Sequence, residues 1–442
     1  MKKPFLLILM LAVIMQSMNS CKKESDPEPE PETPTDLQIA VFSDPHYHDP
    51  SLGISGAAFE AYLMLDRKMI AQSKPIIETV VQSLKNSSAS VILIPGDLTK
   101  DGEKINHEKV AALLAELEGA GKRVFVIPGN HDVNNPQSFS YSGATTTLVP
   151  NVSASEFSTL YAQFGYNESL YRDPNSLGYV VALNAKTWLL AMDACRYSEN
   201  GTVSVTGGRF SGASYQWIKD KLTEAKTKNI KVIGMVHHGL VEHYPGQSVM
   251  FAEYLLENWQ TTSAELADLG LQVVFSGHFH AQDIAKKDGA NGNYLFDIET
   301  GSLVTWPVPY RTVTLTTANK LVVSTSHVTT LTGYPDFEAY SRNYLQQGMD
   351  TLVKLQLMSP PYNLPYAQVA FISPLVVAGF VAHYHGDEVI DQATLAGVNQ
   401  LLGMGGMAAA VGMSVQGMFT DPAPADQNIE IDLASGAITP RR

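Results

Sequence analysis

Short apolar runs of β character recur along this chain, and five of them stop abruptly at a polar block. Residues 39–42 lead to Asp44-Pro45-His46, and residues 91–94 to Gly96-Asp97. Residues 124–127 lead to Gly129-Asn130-His131-Asp132, residues 232–236 to His237-His238, and residues 273–275 to Gly277-His278-Phe279-His280. Continuous apolar runs of this length read as buried strands. The loop that follows a strand is where α/β proteins place their chemistry. Between the runs, helical spacing predicts a long stretch over 59–85, broken near Ser73-Lys74-Pro75 because proline removes a helical donor, and helices over 106–118 and 216–227. Residues 179–183 and 188–192 predict paired strands around the turn Asn184-Ala185-Lys186, and 294–298, 311–316 and 320–324 a further antiparallel group. Helical spacing dominates from 335 to 419, with 397–418 rich in Gly, Ala and Met. Residues 369–382 are apolar but contain Ser373-Pro374 and are too short to span a bilayer. This region predicts helices packed on the main domain, with a membrane-facing role as the alternative. An irregular tail with a strand near 429–433 follows. Strands and helices mixed in this way predict sheets sandwiched between helices.

Composition agrees with a globular protein. The 442 residues suffice for one large domain or two, and 45% hydrophobic against 17% charged residues supports a sizeable core. No internal repeat is present, which excludes solenoids and propellers. A net charge of −14 argues against duplex nucleic acid as a partner, but is compatible with a small phosphorylated substrate when bound metal ions supply positive charge. Lys2, Lys3 and the apolar residues 5–15 predict a signal peptide over residues 1–20. Cys21 follows Met18-Asn19-Ser20 in a sequence that resembles a bacterial lipobox, with ordinary signal-peptidase cleavage nearby as the alternative. Residues 26–36 alternate proline with glutamate and predict an extended tether reaching about 30 Å. The expected organisation is a signal peptide (1–20), a tether after lipidated Cys21 (21–36), a main domain (37–330) and a helical C-terminal extension (331–442). The protein is expected to be exported to the cell envelope and lipid-anchored to a membrane, on its periplasmic or surface side. With Cys21 lipidated, Cys195 has no disulfide partner and reads as a buried, inert residue.

The five blocks are rich in Asp, Asn and His, a nitrogen and oxygen set that suits Zn, Mn or Fe. Asp44 and His46 are two apart, as are His278 and His280, which on an extended segment points each pair to one side. With Asp97, Asn130 and His237 these side chains could serve two metal ions if Asp97 bridges them. Two ions roughly 3.5–4 Å apart hold a bridging hydroxide at neutral pH and clamp the oxygens of an in-line displacement at phosphorus. His238 points away from His237 on an extended segment, and His48, two after His46, reads as a pocket-wall residue, with a ligand role as the alternative. His107 reads as lying behind the ligands or at the surface. His243, His327, His383 and His385 carry no expected catalytic part.

In order, the blocks read D-x-H, G-D, G-N-H-D, H and G-H-x-H, and over residues 37 to about 300 they resemble the calcineurin-like metallophosphoesterase superfamily. Purple acid phosphatases and class III cyclic nucleotide phosphodiesterases belong to that group. The resemblance implies a four-layer α/β/β/α sandwich. It assigns Asp44, His46, Asp97 and His280 to one metal ion, and Asp97, Asn130, His237 and His278 to the other. It places His131 near the leaving group, with Asp132 holding it. Residues 96–103 look like the G-D-L-T-x-D-G-E run of the class III enzymes, which favours phosphodiester chemistry; the alternative is a polar loop closed by Gly102. Lys100 stands where purple acid phosphatases carry their chromophoric tyrosine, so the likeness to that subgroup fails there. The expected activity is metal-dependent hydrolysis of a nucleotide-like or other small phosphodiester. A phosphomonoesterase or nucleotidase is the alternative, and a silent binding scaffold of the same fold is another. Activity should fall below about pH 6, where histidine ligands protonate. Aromatic residues of the insertion over 134–175 (Tyr141, Phe157, Tyr161, Phe164, Tyr166, Tyr171) either fill a core or stack on a base.

Overall fold

The apolar runs fold as strands, and the computed structural model describes them within residues 35–441 apart from 361 and 421. The leader, Cys21 and most of the tether expected from the sequence lie outside the described residues. Strands β1 (Leu37–Val41), β2 (Val91–Ile94) and β3 (Arg123–Val126) run parallel. Helices α1 (Ala57–Leu63), α2 (Ser73–Lys85) and α3 (Lys104–Gly119) fill the connections. The helical break expected at residues 73–75 falls earlier, between α1 and α2. Pro75 stands in the first turn of α2, where a missing N–H leaves no helical bond unmade.

A hairpin of β4 (Phe139–Ser142) and β5 (Thr145–Leu148), helix α4 (Ala154–Leu160) and the short β6 (Tyr171–Arg172) make up the insertion. Next come β7 (Tyr179–Asn184), β8 (Thr187–Met192), α5 (Gly212–Thr227) and β9 (Lys231–Val236). They are followed by α6 (Gln247–Met250), α7 (Trp259–Asp268), β10 (Val273–Ser276), β11 (Asp283–Asp288) and β12 (Tyr294–Glu299). Strands β13 (Pro309–Leu315) and β14 (Lys320–His327) lead to helices α8 (Phe337–Met358), α9 (Tyr366–His385), α10 (Gln392–Met404) and α11 (Gly406–Met418), and then to β15 (Ile429–Asp432) and β16 (Ala437–Pro440). One sheet has the order β16-β15-β14-β13-β1-β2-β3 and the other β11-β12-β10-β9-β8-β7-β6.

Alternation along the strands produces the layers. On β8, Leu189 and Ala191 face a core shared with β1, β2, α2 and α3, whereas Trp188, Leu190 and Met192 face a second core with α5 and α7. The two sheets therefore stack face to face with helices outside each, the expected four-layer α/β/β/α sandwich. The expectation of a helical end over 331–442 holds only to Met418. After α11 the chain returns, and β15 pairs antiparallel with β14, Leu321 opposite Ile431. Helix α9 is long and apolar enough to cross a bilayer by length and composition, and half of its apolar window is buried inside the protein. It packs with α8 and α11 around Leu345, Phe380, Val381 and Met418, and this core includes Tyr244, Phe279 and Trp306 of the preceding region. The extension thus reaches the loop that carries His278 and His280. Phe157, Tyr161, Phe164 and Tyr166 of the insertion lie in the main core, so they fill space there and are not free to stack on a ligand.

Candidate metal centre

Parallel strands β1, β2 and β3 of one sheet and β9 and β10 of the other end at the same side of the sandwich, and the five polar blocks meet there. Asp44, His46, Asp97 and His280 bring one ligand atom each into a common group, and Asp97, His237 and His278 form a second group. All are buried. The reason for the convergence differs from the sequence expectation. Asp44, His46, Asp97, His278 and His280 have φ of 50°, 37°, 47°, 79° and 72°, so the pairs two residues apart are not extended segments. Left-handed backbone in non-glycine residues is uncommon and costs free energy. Here each loop curls back at its strand end, and the ligand atoms face inward because of that curl.

Asp97 joins the two groups. Its Oδ1 accepts a hydrogen bond from the His131 amide at 2.9 Å. Its Oδ2 lies 3.6 Å from His46 Nε2 and 3.5 Å from His237 Nε2. On the first side, His46 Nε2 and His280 Nε2 approach to 3.2 Å, and His280 Nε2 is 3.4 Å from Asp44 Oδ1. On the second, Asn130 Oδ1 is 3.1 Å from His237 Nε2. Ligands bound about 2.0–2.2 Å from one ion stand roughly this far from each other. The tautomers agree: His237 Nδ1 donates to the Pro95 carbonyl at 2.8 Å and leaves Nε2 for a metal, while His278 Nε2 donates to the Glu253 carbonyl at 3.2 Å and leaves Nδ1. The residues present therefore fit two metal ions.

Charge follows the same logic. Burial holds His46, His278 and His280 well below the ordinary imidazole value, so they stay neutral with open lone pairs. Burial pushes the Asp97 carboxyl up, but His237, His131 and His46 outweigh it and keep the group well below the usual carboxylate range. Burial pulls His237 down, and Asp97 and Asp44 raise it to about 9. Below that pH a metal ion must displace a proton from His237. Affinity for the second metal is therefore expected to rise about tenfold per pH unit up to about pH 9 and then level off. Calorimetry in buffers of different ionisation enthalpy should record about one proton released at pH 7. Uptake without proton release would refute the protonated state of His237.

One expected contact is absent. Asp132 does not hold His131: its carboxylate accepts from the amides of Leu98, Thr99 and Gly129 at 3.0, 2.9 and 2.8 Å and from Thr99 Oγ1 at 2.8 Å. Asp132 pins the Asp97 loop to the Asn130 loop. His131 Nδ1 is instead 2.8 Å from Asp101 Oδ1, which turns Nε2 towards Asp97. His107 sits behind this lattice, with Nε2 donating to the Asp132 carbonyl at 2.8 Å. His48 stacks on Phe59 and bonds Gly53, away from the ligands. His238 Nε2 donates to the Thr206 carbonyl at 2.9 Å. Cys195 is only partly buried, and its thiol donates to the Pro128 carbonyl at 3.3 Å, so it braces the Asn130 loop.

A cavity of about 290 Å³ opens over the centre, lined by Asp97, Asn130, His131 and His280 together with Arg67, Lys68 and Tyr254. The last three were not found from the sequence. The signal was there for two of them: Asp66-Arg67-Lys68 interrupts the apolar residues Met64-Leu65 and Met69-Ile70, and Lys68 is buried despite its charge. Arg67 Nε donates to the Tyr384 hydroxyl of α9 at 2.7 Å, so the extension orients a cation at the cavity wall.

A family model described as calcineurin-like phosphoesterase matches residues 37–282. No curated protein matches the chain. Among solved structures, a dimetal phosphatase from Danio rerio is 15% identical, covering 66% of this chain and 97% of that one at a TM-score of 0.48. A purple acid phosphatase from yellow lupin seeds is 13% identical, covering 68% and 52% at 0.44. An NAD nucleotidase from Haemophilus influenzae is 12% identical, covering 72% and 56% at 0.32.

Proposed function

Because this chain belongs to the calcineurin-like phosphoesterase family and is a phosphoric ester hydrolase, we propose that it cleaves a small, nucleotide-like phosphodiester at a two-metal centre built from Asp44, His46, Asp97, Asn130, His237, His278 and His280. The observation that carries this reading is the position of the Asp97 carboxylate, one oxygen fixed by a backbone amide and the other facing both ligand groups. When bound, the metal ions (Mn, Fe or Zn) supply a nucleophile at neutral pH and positive charge for the phosphoryl oxygens. Arg67 and Lys68 attract and orient the anionic substrate. Tyr254 offers a ring face beside His278, 4.8 Å between centroids.

His131 donates a proton to the departing oxygen. Asp101 holds its Nδ1, and although burial lowers its proton affinity, Asp97 and Asp101 raise it above the ordinary value. A group kept protonated in this way suits an alkoxide leaving group, as in a phosphodiester. Replacing His131 with asparagine is expected to slow an alkyl ester by about 10²–10⁴-fold, but to slow a nitrophenyl ester, whose leaving group needs no proton, much less. Equal losses on both substrates would remove His131 from the proton-transfer role.

The test of the whole reading is hydrolysis of bis-aryl and mono-aryl phosphate by the purified chain with Mn²⁺, Zn²⁺ or Fe²⁺ added. Metal-dependent preference for the diester supports it, and a strong monoester preference overturns it. One observation favours the monoesterase reading: Arg67 and Lys68 face the cavity together, and two cations match a dianion.

For residues 1–36 we propose export and a lipid anchor on Cys21, with residues 26–36 as a spacer. Incorporation of labelled palmitate that is lost in Cys21→Ala supports this; labelling that persists in the variant overturns it.

A further inference from the structure

A second buried cluster of histidines and carboxylates lies beside the centre just described, and its geometry asks for a cation. His243 follows β9, Asp283 opens β11, Glu299 closes β12 and His383 belongs to α9. One ligand atom each of His243, Asp283 and His383 lies within 4.8 Å of the others. All four side chains are buried, none more than 2% exposed.

Asp283 and Glu299 stand directly opposite one another in the β11–β12 register, so two carboxylates share one buried face. Like charges opposed across a sheet repel, the more so away from water. Arg311 is nearby, its guanidinium donating to the backbone carbonyls of Glu299, Asp283 and Asp426 and to Thr325 Oγ1. His243 Nε2 is 2.9 Å from Glu299 Oε2, yet the pair lacks hydrogen-bond alignment, and His243 Nδ1 has no partner either. His383 Nδ1 lies 2.7 Å from Glu388 Oε1, which leaves its buried Nε2 without a partner. A carboxylate behind a histidine, with the other ring nitrogen bare, is how metal-ligating histidines are oriented. Glu299 is fixed in turn by the Ala281 amide, 3.2 Å from Oε1.

We infer that His243, Asp283 and His383, with Glu299 against His243, form a third metal site that takes one Zn²⁺ and staples α9 to the ends of β11 and β12. Ligands drawn wholly from buried protein side chains describe a structural site, not a catalytic one. Phe279 separates it from the catalytic ligands, its ring 5.8 Å from His243 and 5.4 Å from His383. Tyr384, the next residue on α9, holds Arg67, so the staple also sets the position of the cavity cation.

Zinc content settles the matter. The full chain, loaded with Zn²⁺ and freed of excess by gel filtration, is expected to carry three zinc ions by elemental analysis, and His383→Ala two. An Asp44→Ala, Asp97→Ala double variant, with the catalytic pair emptied, is expected to retain one, with a mixed imidazole and carboxylate shell by X-ray absorption. Two ions in wild type, unchanged by His383→Ala, would overturn the proposal and leave an ion-pair cluster. If His383→Ala does not fold, the double variant decides, and no retained zinc overturns the site. Loss of the catalytic pair alone leaves the third ion in place, so failure of the proposed function and failure of this site give different counts.

Discussion

Asp97→Ala is expected to lower kcat/KM by on the order of 10³-fold or more, and to empty both ligand groups at the strand ends. The size follows from position. Oδ2 of Asp97 lies 3.6 Å from His46 Nε2 and 3.5 Å from His237 Nε2, and among the described residues no other carboxylate belongs to both groups. Without it, the first group keeps one carboxylate, Asp44, and the second keeps only neutral donors. Two cations cannot be held close together there against their mutual repulsion. The His131 amide also loses its acceptor, which frees the Asn130 loop. Metal analysis alongside kinetics checks this. Two ions retained at the centre, with kcat/KM within tenfold of wild type, would sink the assignment of Asp97 as the shared ligand.

Asp132→Ala is expected to act on stability first, by about 4 kcal/mol. Three backbone amides and one hydroxyl converge on this carboxylate, and the residue is fully buried. Alanine leaves those donors without acceptors in the interior, and each such loss costs about 1–3 kcal/mol, reduced where water can enter. Because Leu98 and Thr99 follow Asp97, and Gly129 precedes Asn130, the same change loosens two ligand loops. The urea midpoint should fall with little change in slope. A midpoint unchanged from wild type, with activity lost, would return Asp132 to a direct role in the reaction.

The strand ends were legible because two independent signals coincide at each of them. An apolar run of three to five residues marks a buried strand, and the polar block after it has no reason to be apolar-flanked unless the site is there. The partner of His131 was not legible. Both Asp101 and Asp132 lie close by in the polar blocks, and only the folded loop shows that Asp132 is turned onto amides while Asp101 reaches the ring. Nor was the curl at Asp44, His46, His278 and His280, since two-residue spacing reads as an extended strand and positive φ leaves no mark on residues of these types. Arg67 and Lys68 arrive from the connection after α1, and Tyr384 from α9. Contacts that distant along the chain are set by packing and carry no local pattern. The return of the chain to β14 was half visible: the apolar alternation near residue 429 suggested a strand but could not name its neighbour.

That return has a consequence for how the molecule comes into being. β14 is complete at residue 327, but the strand that covers its outer edge begins at residue 429, after four helices. Until those residues exist, a long run of backbone donors and acceptors lies open, and such an edge invites pairing with a second chain. Every candidate catalytic ligand has already been made by then. A chain cut short before the final hairpin would therefore carry the whole centre and yet present the 320–323 segment of β14 as an open edge, where pairing with a second chain is expected.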